Sequence, residues 1–210
     1  MIFKKFVHRQ KGDVEMKPGF AEIICIIDRS GSMNSIKSDA IGGFNAFLEE
    51  QKKLPSEANL TYIQFDTEYE VVHENKPLKA VDPIDKNVFI PRGATALLDA
   101  IGKTLDATGK RLAHTPEKNK PEKVIVVILT DGHENASTQY NQSKIKEMIS
   151  HQREQYSWEF IFLAANQDAF SEATKIGIDA KNSFDFAATN QGIKDAYAQI
   201  SHVTANFREL

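Results

Sequence analysis

Five oxygen-bearing side chains, in three separate stretches, have the types and spacing to hold a metal ion. Asp28, Ser30 and Ser32 alternate in Asp28-Arg29-Ser30-Gly31-Ser32-Met33, Thr95 lies in Gly93-Ala94-Thr95, and Asp131 in Thr130-Asp131-Gly132. In an extended turn, alternate side chains project to the same side, so Asp-x-Ser-x-Ser aims three oxygens toward one point. Short carboxylates and hydroxyls, with no histidine or thiol among them, suit a hard dication, Mg2+ or Mn2+, held at about 2.0–2.1 Å in octahedral geometry. Gly31 and Gly132 allow the backbone to turn sharply beside these side chains.

The elements that must bring the stretches together follow from hydrophobic periodicity. Glu22 to Ile27 is a short apolar run, as expected of a strand covered on both faces. Ile36, Ala40, Ile41, Phe44, Phe47 and Leu48 recur at helical spacing, and Pro55 predicts where that helix ends. Residues 60–65 and 69–74 predict two strands joined by Asp66-Thr67-Glu68. After an irregular stretch from Pro77 to Pro91, Leu97, Leu98, Ile101, Leu105 and Leu112 form the stripe of a second helix. Residues 114–123 predict a solvated connector, and Val124 to Leu129 a fully buried strand. A helix through Ile145, Met148 and Ile149, a strand from Trp158 to Ala164 and a short helix over 169–176 come next. A weak strand from Ser183 to Phe186 and a helix through Ile193, Ala196, Tyr197, Ile200 and Phe207 complete the pattern. This alternation predicts an α/β fold, a Rossmann-like three-layer arrangement around a mostly parallel sheet. One domain over residues 21–210 is expected, with residues 1–20 as an N-terminal extension. In such folds ligands bind beyond the carboxyl ends of the strands, where Asp28 and Asp131 fall.

The segments Asp28 to Met33, Gly93 to Ala100 and Thr130 to Gly132 resemble, in order, the three parts of the metal-ion-dependent adhesion site of von Willebrand factor type A domains. The chain is most similar to small free-standing bacterial or phage members, notably in Asp28 to Met33 and Trp158-Glu159-Phe160-Ile161-Phe162-Leu163. The resemblance implies a six-stranded sheet of order 3-2-1-4-5-6 with the third strand antiparallel at an edge. It implies that the Ser30, Ser32 and Thr95 hydroxyls contact the metal while Asp28 and Asp131 act mainly through water. Neutral hydroxyls leave the charge of the dication largely uncancelled, so an open coordination position favours an Asp or Glu carboxylate from a protein partner. The expected function is a metal-dependent protein-binding module, a subunit or adaptor of an intracellular assembly, without catalysis.

Other uses of the same residues are available. Asp and Ser favour helix N-caps, Thr95 can cap the second helix, and Asp131-Gly132 can form a simple turn. The alternative function is a Mg-dependent phosphohydrolase with Asp28 as nucleophile. That chemistry resembles Asp-x-Asp, where the second acid serves the leaving group, and here the position holds Ser30. No Gly-x-Ser-x-Gly elbow is present. Gly102-Lys103-Thr104 ends like a phosphate-binding loop, but Leu97 occupies the upstream glycine position. Asp99, one turn past Thr95, either adds negative charge near the metal or lies plainly at the surface. His133, Glu134 and Asn135 read as loop polarity, and Cys25 as an inert core thiol.

Composition narrows the classes further. Lys and Arg total 26 against 29 Asp and Glu, a formal charge of -3, which argues against a nucleic-acid binder. A single cysteine excludes an internal disulfide framework. The longest apolar runs have six residues, where a spanning helix needs about 20, so no membrane association is expected. Residues 1–20 carry Lys4, Lys5, Arg9 and Lys11 without a following apolar stretch, so a cytoplasmic location is expected.

Overall fold

The computed structural model describes residues 16–165 and 169–209. Six strands form one sheet: β1 (Lys17–Asp28), β2 (Ala58–Phe65), β3 (Tyr69–Pro77), β4 (Pro121–Thr130), β5 (Glu159–Ala165) and β6 (Ser183–Phe186). Their order is β3-β2-β1-β4-β5-β6, with β3 antiparallel to β2 and every other pairing parallel. This is the expected topology. Five helices connect the strands: α1 (Lys37–Lys53), α2 (Leu97–His114), α3 (Gln142–Tyr156), α4 (Ala169–Lys175) and α5 (Asn190–Glu209).

Strands β1 and β4 are central, which explains their unbroken apolar runs, Ile23 to Ile27 and Val124 to Leu129. Ile23, Cys25 and Ile27 of β1 face one layer, with Phe44 and Phe47 of α1 and Tyr197 and Ile200 of α5. Ile24 and Ile26 face the other, with Leu97, Ile101 and Leu105 of α2, Ile145 and Ile149 of α3, and Ala173 of α4. Each fully buried Ile or Phe contributes about 1.5–3 kcal/mol of transfer free energy, so the two cores fix the sheet against both layers. Helix α1 packs closely against α5: a methyl on Gly43 would meet the Tyr197 ring at 2.3 Å. Cys25 is buried, and burial pushes its thiol far above its ordinary range, in keeping with an inert core residue.

Element boundaries differ from the sequence expectation at polar ends, and β3 runs on to Pro77 where the sequence predicts an end at residue 74. Strand β1 begins at Lys17, yet burial begins only at Ala21. Lys17 N donates to Lys120 O at 3.2 Å and Gly19 N to the Glu122 carboxylate at 2.7 Å, bonds that hydrophobic periodicity does not register. The expected connector over 114–123 shortens, because β4 starts at Pro121 and a 3-10 turn covers Glu117–Asn119. Of the expected N-terminal extension, residues 1–15 lie outside the described residues.

The chain runs outward from β1 through β2 to β3, then crosses back to β4 and runs the other way. Between β1 and β4 the direction of progress reverses, so their carboxyl ends frame a crevice. Register places Asp28 opposite Phe65 and Ile27 opposite Leu129, so Asp28, Asp66 and Thr130 emerge side by side at one sheet edge.

Candidate metal centre

Asp28 ends β1 and is fully buried. Its Oδ1 accepts the Ser30 backbone N–H at 2.6 Å, and its Oδ2 accepts the Thr130 hydroxyl at 2.6 Å. Ser30 Oγ lies 3.1 Å from Ser32 Oγ, and Ser32 Oγ donates to Asp131 Oδ1 at 2.6 Å. Thr95 joins the group across Gly132. A Cβ at position 132 would lie 2.9 Å from Thr95 Oγ1 and 3.8 Å from both Ser30 Oγ and Ser32 Oγ. Three hydroxyl oxygens therefore surround one hollow that a methyl group would occupy, and glycine keeps it open. All five residues selected from the sequence meet at the β1–β4 crevice.

Helix capping does not account for these hydroxyls. Ser30 stands at the N-cap of the 3-10 turn Gly31–Ile36, but its side chain makes no capping bond. Helix α2 is capped at Ala96, again with no side-chain bond from the cap. The orphan N–H groups of its first turn are satisfied from the β4–α3 loop: Leu98 N donates to Glu134 Oε2 at 2.8 Å and Asp99 N to Ser137 Oγ at 3.0 Å. Thr95 is thereby left with its hydroxyl at the hollow.

The electrostatics of the two acids are set by burial. Burial pushes the Asp28 carboxyl from an ordinary 3.8 up to about 6, against the opposing effect of its bonds from Thr130 and Ser30. Burial also raises Asp131, partly offset by the Ser32 hydroxyl. Among the described residues, no Lys, Arg or His pairs with Asp28, and no three His, Cys, Asp or Glu side chains group as metal ligands. The set is thus neutral hydroxyls lining a hollow, with carboxylates bonded behind them. That chemistry fits a small hard cation, whose charge would offset the cost of burying the acids.

The Thr95 loop is tied down on both sides. Toward β1 and β2, Arg92 N donates to Arg29 O at 2.8 Å, Gly31 N to Gly93 O at 3.2 Å and Ala96 N to Asp66 O at 3.1 Å. Gly93 adopts φ +66, a left-handed conformation that glycine enters at little cost. Beneath this loop Asp66 is fully buried, and its Oδ2 accepts Arg29 Nε at 2.8 Å and Arg92 Nε at 3.0 Å. Burial pushes Asp66 up, but the Glu68 N–H and the two guanidinium groups outweigh it and hold the carboxyl below its ordinary value. Toward β4, Thr95 N donates to Asn135 Oδ1 at 2.9 Å, and Thr95 O accepts Asn135 N and Ala136 N.

Several of these residues were not singled out correctly by the sequence. Asp99 is buried rather than at the surface, and it accepts the N–H groups of Thr138, Gln139 and Tyr140. Glu134, read as loop polarity, accepts Leu98 N, Ala136 N, Ser137 N and the Ser137 hydroxyl. Gly102-Lys103-Thr104 lies within α2, as the helical stripe predicts; the Tyr140 ring covers Gly102, and the buried Thr104 Oγ1 donates to Ala100 O at 2.7 Å.

Comparison with known proteins finds no matching protein-family model and no matching curated protein. Solved structures do match. Proximal thread matrix protein 1 from the mussel byssus superposes with a TM-score of 0.60 at 16% identity, over 92% of this chain and 47% of that one. The vWF domain of the type V pili tip protein Mfa5 from Porphyromonas gingivalis gives a TM-score of 0.57 at 11% identity, over 91% and 96% of the two chains. This chain has the von Willebrand factor type A fold. The pilus adhesin SpaC from Lactobacillus rhamnosus GG matches with a TM-score of 0.65 at 13% identity, over 93% of this chain and 31% of that one. The chain spans about half the length of the mussel protein, one structure of which has a zinc-occupied MIDAS motif. In this von Willebrand factor type A fold, no helix among the described residues is long and apolar enough to cross a membrane.

Proposed function

We propose that the domain is a divalent-metal-dependent protein-binding module in which Ser30, Ser32 and Thr95 hold Mg2+ or Mn2+ directly and Asp28 and Asp131 hold it mainly through water. The observation that carries this reading is the hollow at Gly132, bounded by three hydroxyl oxygens within 4 Å of one point. Both oxygens of Asp28 already accept hydrogen bonds, which suits a carboxylate that orients donors and contributes negative charge from behind. When bound, the ion would supply an electrophilic position for a carboxylate oxygen. A protein partner presenting Asp or Glu satisfies that position, and the contact confers specificity together with a metal requirement. The zinc-occupied motif of the mussel neighbour supports a divalent ion in this fold. The expected setting is an intracellular assembly in which the domain is a subunit or adaptor.

Phosphohydrolysis gains no support from the geometry. Ser30 stands where a second acid would act, and both Asp28 oxygens are engaged by Ser30 N and the Thr130 hydroxyl rather than presented as a nucleophile.

The test is thermal unfolding with and without Mg2+ or Mn2+. A ligand that binds only the folded state at about a hundred times its Kd stabilises it by about 2.7 kcal/mol. The melting temperature of the native protein is expected to rise with metal, and Ser30→Ala with Ser32→Ala to abolish the rise while the metal-free protein still unfolds cooperatively. An equal response in the double variant would remove these hydroxyls from the ligand set.

A further inference from the structure

Resting on the metal-centre reading, we infer that Asn135 is a positioning residue that fixes the Thr95 hydroxyl at the hollow. Thr95 is buried, with 3% of its surface exposed, so its peptide N–H has little access to water. That N–H donates to Asn135 Oδ1 at 2.9 Å, across 40 positions of sequence. The peptide carbonyl of the same residue accepts Asn135 N at 3.0 Å and Ala136 N at 3.2 Å. Both polar groups of the Thr95 backbone are thus held by one dipeptide of the β4–α3 loop. The grip is two-sided, so it fixes the rotation of the Thr95 backbone as well as its distance from β4.

The grip matters because the Ala96 N bond to Asp66 O holds only the peptide after Thr95, while the N–H before it is held by Asn135. Thr95 precedes Ala96, the N-cap of α2, which has no side-chain capping bond of its own. The first turn of α2 depends on Glu134 and Ser137 from the same loop. The loop is itself seated by the Asp99 carboxylate, which receives three consecutive N–H groups, and by Tyr140 over Gly102. Asp131 opens this loop and Thr95 is bonded to its middle. Two of the five candidate metal residues therefore ride on one laced unit, with Asn135 as the tie between them. Removing its acceptor leaves a buried N–H without a partner and loosens the Ala94–Thr95 peptide on the near side of Thr95, which would displace the hydroxyl from the proposed ion.

The experiment compares the native protein with Asn135→Ala and Asn135→Asp in two readouts. In Mn2+ titration calorimetry, Asn135→Ala is expected to weaken binding about tenfold or more, the loss typical of residues that orient metal ligands. Asn135→Asp keeps an oxygen acceptor and is expected to restore binding to within a few-fold. In metal-free hydrogen exchange, Thr95 N–H is expected to lose protection in Asn135→Ala and keep it in Asn135→Asp. Unchanged Mn2+ affinity in Asn135→Ala, unchanged Thr95 protection, or a loss that Asn135→Asp fails to restore would each overturn the assignment. A native protein that binds no Mn2+ would overturn the metal-centre reading and, with it, Asn135's role toward a metal. The exchange arm would then still decide whether Asn135 holds Thr95.

Discussion

Asp28 and Asp66 leave adjacent strands at the same sheet edge, both fully buried, yet they reach opposite electrostatic solutions. Asp66 carries its own cations: Arg29 and Arg92 bond its Oδ2, and its carboxyl is held below the ordinary value. Among the described residues Asp28 is met by neutral donors, Ser30 and the Thr130 hydroxyl, and burial drives it up to about 6. Asp66 is a finished ion cluster that supports the Thr95 loop. Asp28, with the hydroxyls before it, has the charge pattern of a site completed from outside.

Breaking Asp66 should have the largest effect on stability. Asp66→Ala strands Arg29, whose side chain is 4% exposed, with Glu70 as its remaining acidic partner. Removing one member of a buried pair costs about 3–5 kcal/mol, to be read by urea unfolding of the metal-free protein. The equivalent change at Asp28 should behave differently. Asp28→Asn removes no ion pair, and the Thr130 hydroxyl can accept from the new amide while donating to Gly132 O at 3.0 Å. Metal-free stability is expected to change by less than about 1.5 kcal/mol, the net contribution of one hydrogen bond, while the metal-induced rise in melting temperature disappears.

The two acids also predict opposite pH responses. A carboxyl whose folded pKa is raised takes up protons on folding, so between pH 3.8 and about 6 Asp28 favours the metal-free fold increasingly as pH falls. Metal binding competes with that proton and should weaken over the same window. Asp66, held low, contributes stability present above the unfolded value and lost as pH falls through its folded one. Melting curves of the native protein and Asp28→Asn from pH 7 to 3, each with and without Mn2+, separate the two, because the Asp28 response falls between about pH 6 and 3.8 and the Asp66 loss below it. If the metal response of the native protein is flat across that range, Asp28 does not belong to the site. The smallest effect is expected at the outer edge of the arginine cluster. Arg92 and Glu68 are 50% and 70% exposed, so Glu68→Gln should alter stability by no more than about 1 kcal/mol and leave metal binding intact.

Much of this architecture is legible in the sequence because burial on both faces leaves a direct trace. Val124 to Leu129 is apolar throughout and lies in β4 between β1 and β5, and the α2 stripe through Leu97, Ile101 and Leu105 faces the sheet. The candidate site residues are legible for a different reason: Asp28, Ser30 and Ser32 are close in sequence and lie where a strand ends. What supports them is not. Asp99, Glu134 and Asn135 bond to backbone N–H groups about 40 positions away or in their own loop, and such bonds follow no periodicity. Arg29 and Arg92 look like ordinary surface charges until β1 and β2 lie side by side and bring Asp66 between them.

The hollow beside Gly132 has a consequence for how this domain could lose its role over generations. Replacing a single hydrogen there with a methyl group would press on Thr95 Oγ1 and fill the space proposed for the ion, while all five oxygen-bearing residues stayed encoded. Inheritance of all five candidate residues would then say nothing about a working centre, because position 132 shapes the proposed site through the atoms it lacks.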